Sequence, residues 1–158
     1  MKAGILIQHA EPEDALTIAH LVGRLLSEIM NATGAQSFGF DLEATATRLR
    51  QFTEHGKYHV LAAWDGERAI GFLSLYDSYA LYAEGEFGTI AEFYVDPVFR
   101  GQGLGHDLLD EAKKLGRERG WVRLEVTTPP LPEYSRTLAF YEREGFAVAG
   151  GRKMKVLL

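Results

Sequence analysis

Arg100-Gly101-Gln102-Gly103-Leu104-Gly105 is the stretch whose residue types and spacing best suit a chemical task. Glycines at alternate positions clear side chains from one path, so several backbone N–H groups can converge on a single point. The run lies between a strand-like segment, Thr89 to Val95, and a helical pattern that continues to about Arg119. A helix start adds unpaired N–H donors and the positive end of the macrodipole, and the natural guest is a phosphate or pyrophosphate. Two familiar nucleotide loops are disfavoured by spacing. An NTPase loop needs Lys-Ser or Lys-Thr after its last glycine, where this chain has His106-Asp107, and a dinucleotide fingerprint counted from Gly101 needs a glycine at 106.

Carboxylates near this run are the candidates for moving protons. Alternation along Thr89 to Val95 puts Ile90, Glu92 and Tyr94 on one face unless a bulge intervenes, and Glu84, Glu86 and Glu125 compete with Glu92 as acids. The polar and aromatic segment Asp77 to Gly88 reads as a loop that could receive a cationic amine by charge and cation–π attraction. The histidines give no metal site. His55 and His59 are four apart, but Gly56 and the following strand break the helix that would aim them at one ion. No cysteine is present, which excludes disulfides, thiolate metal sites and cysteine nucleophiles, and no serine-histidine-acid order suggests a covalent route.

The elements that must position these groups follow from periodicity. Ile5 to Gln8 predicts a strand, and Glu11-Pro12-Glu13-Asp14 a helix entrance. Ala15, Ile18, Ala19, Leu21, Val22, Leu25, Leu26 and Met30 then recur at helical spacing until Asn31 to Gly34 breaks the pattern. A second helix is predicted from Asp41 or Leu42 to Phe52, with Asp41 as N-cap. Tyr58 to Trp64 and Ala69 to Tyr76 form a hairpin across Asp65 to Arg68. Leu104, Leu108, Ala112 and Leu115 stripe the helix after the glycine run, and Trp121 to Thr127 is the next strand. Pro129-Pro130-Leu131-Pro132 requires a loop, a helix runs from about Ser135 to Glu144, and Phe146 to Ala149 with Lys153 to Leu158 reads as a terminal hairpin across Gly150-Gly151. The order predicts one α/β (α+β) domain over residues 1–158. Its sheet is mixed and mostly antiparallel, with six to seven strands, about four helices and one βαβ crossover around the glycine loop.

Size fits one core. A formal net charge of −5 and an isoelectric point near 5.5 argue against nucleic-acid or anionic-membrane partners, which reward a basic face. No apolar run approaches the roughly 20 residues that span a bilayer, so the expected location is the cytoplasm.

Arg100-x-x-Gly103-x-Gly105, preceded by Tyr94-Val95-Asp96-Pro97 and followed by an amphipathic helix, resembles the acyl-CoA-binding motif of the GNAT-type N-acetyltransferase superfamily. Ala139-Phe140-Tyr141-Glu142-Arg143-Glu144-Gly145-Phe146 resembles that family's second signature, and the order of elements over essentially the whole chain is similar. The resemblance implies transfer of an acetyl group from acetyl-CoA directly to a primary amine, with no metal. The backbone of Gly101, Gln102, Gly103, Leu104 and Gly105 would hold the pyrophosphate, Arg100 would assist, and the backbone of Phe93, Tyr94 and Val95 would pair with the pantetheine arm. Glu92 would help deprotonate the amine, because an alkylammonium must lose a proton before it attacks a thioester. Tyr141 would protonate the departing thiolate, a transfer between groups of comparable acidity. The acceptor is open between a small molecule and a protein amine, and a terminal strand could mediate a homodimer. Where family members commonly carry asparagine seven residues before the tyrosine, this chain has Tyr134, so the CoA arm must be held differently on that side. A second reading is a CoA-binding sensor or interaction module of the same fold without turnover.

Overall fold

Five strand-forming segments pair in the order in which they occur: β1 (Ile5–His9), β2 (Tyr58–Asp65), β3 (Arg68–Ala80), β4 (Gly85–Val95) and β5 (Leu124–Val126). The computed structural model describes residues 4–36 and 38–158. The first four strands are antiparallel neighbours. β5 lies parallel to β4 through Gly88–Ile90 only, after the crossover helix α3 (Leu104–Arg119). Two more helices, α1 (Ala15–Thr33) and α2 (Leu42–Glu54), separate β1 from β2, and α4 (Ser135–Arg143) follows β5.

Local chemistry accounts for the boundaries. The Asp41 side chain accepts from the Ala44 N–H at 2.7 Å and caps α2 as expected. α1 runs on through Asn31 and Ala32 and stops at Gly34, whose φ of 72° supplies the left-handed C-cap. The expected Asp77 to Gly88 loop is instead mostly ladder: Asp77 stands opposite Gly88, Ser78 opposite Phe87 and Tyr79 opposite Glu86, leaving only the turn Leu81–Ala83 and Glu84 outside strands. Strand pairing wins there because Phe87 buries its ring and Ser78 shares a 2.7 Å hydrogen bond with Thr89 across the hairpin.

Residues 1–127 and 128–158 are two compact units. In the first, Ile18 and Leu21 of α1 pack on Val60, Ala62, Phe72 and Tyr94 from one sheet face. The opposite face faces α3, whose Leu108, Leu109 and Ala112 are fully buried. Asp77 ties β3 to the end of α3, accepting from Arg119 at 2.6 Å and pairing with His59 at 2.9 Å. Burial pushes the His59 pKa down, and hydrogen bonds from Arg119 and His59 hold the Asp77 carboxyl below its usual range against the opposing effect of burial. Gly88 lies directly under Trp121: an added Cβ would run into the indole ring and sit 2.9 Å from Leu124 Cδ2. Gly88→Ala is therefore expected to cost about 1–3 kcal/mol of stability by overpacking, read as a lower urea midpoint at unchanged m-value.

The second unit holds α4, which ends as Phe146 N–H donates to the Tyr141 carbonyl at 3.0 Å with Gly145 at φ 97°. The sheet thus has five strands rather than six to seven, and the expected terminal hairpin is absent among the described residues. Val148, Met154 and Val156 are 79%, 90% and 81% exposed. Strand formers make a strand only where a neighbouring edge accepts their hydrogen bonds and a face covers their side chains, and these residues have no such face. Among the described residues, no helix is long and apolar enough to cross a membrane.

Candidate active site

The glycine run takes the conformation its composition suggests. Gly101 and Gly103 have φ of 76° and 87°, and an added Cβ at either would meet nothing within 4 Å, so the backbone is bare on that side. Gly103 is the N-cap of α3, Leu104 is buried as its first residue, and Gly105 follows within the helix. Left-handed glycines alternating with other residues before a helix turn successive N–H groups toward one place. The Gln102 side chain folds back, with Nε2 donating to the Val98 carbonyl at 3.2 Å.

β4 leads into this loop through a bulge. Leu75 stands opposite Ile90 and Ser74 opposite Glu92, so Ala91 is an extra residue. Ile90 consequently shares a face with Leu75, whereas Glu92 and Tyr94 share the α1 face with Ser74 and Phe72. The regular-strand expectation that Ile90, Glu92 and Tyr94 face one way is thereby corrected. Glu92 Oε1 accepts from both the Tyr58 and Ser74 hydroxyls, and the Glu92 N–H donates to Ser74 Oγ at 3.0 Å. Tyr58 is held between Phe52 and Tyr76, with ring centroids 5.4 and 6.4 Å away. Burial, then the adjacent Glu92 charge, pushes the Tyr58 pKa far up, so it is a fixed donor at neutral pH. Two donors on one carboxyl oxygen orient the group and leave Oε2 as the atom available to accept a proton.

Phe93 is half-buried opposite Leu73, Tyr94 buried opposite Phe72, and Val95 stands opposite Gly71. Past Ile90, the β5 side of β4 has no strand partner among the described residues, because the parallel ladder ends there. Glu84 occupies the hairpin turn at φ 62°, Glu86 stands opposite Tyr79, and Glu125 is engaged by Arg123 at 2.7 and 2.8 Å.

A groove of about 830 Å³ opens along α1, between that helix and the segment leading into α2, lined by His20, Arg24, Ser27, Glu28, Asn31 and Phe40 among others. Two of these residues reach the entrance of the glycine loop. Arg24 lies 3.8 Å from Asp96, which also accepts from Arg68 at 2.9 Å and from the Val98 N–H at 3.0 Å. Glu28 accepts from Arg100 at 2.8 Å, while Arg100 Nε donates to the Val95 carbonyl at 2.7 Å and its guanidinium covers the Tyr94 ring at 5.6 Å.

In the second unit Tyr141 is buried on α4 between Phe140 and Phe146, with ring centroids 5.5 and 5.3 Å away. Burial pushes its pKa up. Tyr134 is the N-cap residue of α4, following a loop in which Ser135 Oγ donates to the Pro132 carbonyl at 2.7 Å.

Sequence reasoning singled out the glycine loop and Glu92 as candidates but not the residues that contact Glu92, Arg100 and Asp96, namely Tyr58, Ser74, Glu28, Arg24 and Arg68. Only Ser74 left a trace, as the one hydroxyl in the apolar run Ala69 to Leu75.

The acetyltransferase (GNAT) family model matches residues 26–146. Thialysine N-epsilon-acetyltransferase of Caenorhabditis elegans is 29% identical over 102 residues, which cover 65% of this chain and 63% of that protein. Aminoalkylphosphonate N-acetyltransferase of Salmonella typhimurium is 28% identical over 151 residues, covering 96% and 90% respectively. An aminoglycoside acetyltransferase from an uncultured soil metagenomic sample shares the fold at a TM-score of 0.76 and 20% identity, over 98% of this chain and 97% of that one. With the family model spanning both the glycine loop and the Tyr141 segment, this chain belongs to the GNAT family of acetyltransferases, which use acetyl-CoA as co-substrate.

Proposed function

We propose that this protein transfers an acetyl group from acetyl-CoA directly to a primary amine. The observation that carries this reading is the pairing, on one strand-to-helix connection, of a bare glycine loop with a carboxylate oriented by two hydroxyl donors. The loop backbone from Gly101 to Gly105 binds the pyrophosphate, with Arg100 contributing charge, and the backbone of Phe93 to Val95 pairs with the pantetheine arm. Glu92 takes a proton from the acceptor ammonium, directly or through water. The freed nitrogen lone pair forms the bond to the thioester carbonyl carbon, whose oxygen is polarised by backbone N–H groups of β4, and the carbon–sulfur bond breaks. Tyr141 Oη supplies a proton to the departing sulfur and regains one from the nitrogen, which sheds its second proton as the amide forms; the products are an N-acetylated amine and the CoA thiol, and the proton taken up by Glu92 passes to water. The amines in the two relatives' names are borne by small molecules, which supports a small-molecule acceptor over a protein one.

Release of thiol from acetyl-CoA across a structurally diverse amine panel tests the proposal. One or more amines are expected to release thiol in equal amount to the acetylated amine formed. A protein that CoA stabilises against heat but that stays silent across the panel overturns transfer in favour of a CoA sensor.

A further inference from the structure

Glu28 serves two places at once. Its carboxylate lines the α1 groove, and its Oε1 accepts from Arg100 Nη2 at 2.8 Å, one residue before the first glycine of the loop. Arg100 has a second anchor of a different kind, since Nε donates to the neutral Val95 carbonyl at 2.7 Å. The Nε anchor can persist while the Nη2 end of the guanidinium changes anionic partner. The Arg100 and Glu28 side chains are 43% and 36% exposed, so water and ions can reach the pair and exchange is inexpensive. Arg24, one helical turn before Glu28, lies 3.8 Å from Asp96, which also accepts from Arg68 and from the Val98 N–H.

We propose that Glu28 is a positioning residue that couples the two substrate sites. Without substrate it holds Arg100. A phosphate at the glycine loop draws Arg100 away, and the released carboxylate then faces the groove as a partner for a cationic amine. Each ligand removes a competitor of the other, and by linkage the amine must tighten CoA binding by the same factor as CoA tightens amine binding. An exposed pair sets the size of the effect at about threefold. This inference rests on the proposed acetyl transfer and takes the α1 groove, which Glu28 lines, as the amine site.

Calorimetric titration with CoA, which binds without turnover, tests it on the wild type, Glu28→Gln, Arg100→Gln and the double variant, each with and without 1,4-diaminobutane. Glu28→Gln is expected to bind CoA about threefold more tightly than wild type, because Arg100 is free from the start. In the Arg100→Gln background the same substitution should change nothing, which separates competition for Arg100 from mere removal of a negative charge. The diamine should tighten CoA about threefold in the wild type and have no such effect in Glu28→Gln. Glu28→Ala, lacking the amide, should match Glu28→Gln. Equal CoA affinity in wild type and Glu28→Gln, an equal gain in both Arg100 backgrounds, or a wild type blind to the diamine each overturns the coupling. A wild type that binds no CoA at all is a different result, since it removes the acetyl-transfer reading itself.

Discussion

Tyr141→Phe is expected to lower kcat by about a hundredfold while the KM for acetyl-CoA stays within about twofold, the range that loss of one general acid produces. The substitution removes only the hydroxyl. Phenylalanine keeps the ring that packs on Phe140 and Phe146, so the melting temperature should hardly move and the loss cannot be assigned to misfolding. Burial raises the Tyr141 pKa, and a phenol shifted upward stays protonated throughout the neutral range. Its own ionisation therefore contributes no limb to the rate profile, and the ratio of variant to wild-type kcat should stay flat from about pH 6 to 9. An unchanged turnover number would remove Tyr141 from the mechanism.

Glu92→Gln should cost about a hundredfold in kcat/KM at pH 7, with a loss that shrinks as pH rises. Glutamine still offers Oε1 to the Tyr58 and Ser74 hydroxyls, so the local structure is retained while the proton acceptor is lost. The sign of the pH effect follows from the acceptor. An alkylammonium of pKa about 10.4 supplies roughly tenfold more free amine per pH unit below that value, and the variant depends wholly on this fraction. Its kcat/KM should climb with a slope near one in log units through pH 7 to 9, more steeply than the wild type. A variant with wild-type kcat/KM at pH 7 would exclude Glu92 as the base.

The parts of the site written in local residue types were legible in the sequence. Gly101 and Gly103 announce positive φ, the apolar stripe from Leu104 to Leu115 announces α3, and Asp41 caps α2 where expected. What depends on residues far apart was not. Tyr58 and Glu92 are 34 positions apart and Arg100 and Glu28 are 72, so nothing in either local segment foretells the hydrogen bond. The hairpin beyond Tyr76 and the missing terminal strands err in opposite directions for one reason. Strand formation depends on whether a pairing edge and a covering face are present, which composition alone does not specify.

β4 also has a property unrelated to turnover. Between Ala91 and Val95 it presents a row of backbone donors and acceptors that β5 does not reach. Such a row is chemically indifferent to what pairs with it and would accept any extended chain, including one from an unfolded neighbour. Two features limit that hazard in the unliganded protein: the row is short, and Glu92 places a charged side chain within it. An edge of this kind is a place where self-association can start, and in the proposed acetyl transfer the donor substrate that pairs with it would also shield it.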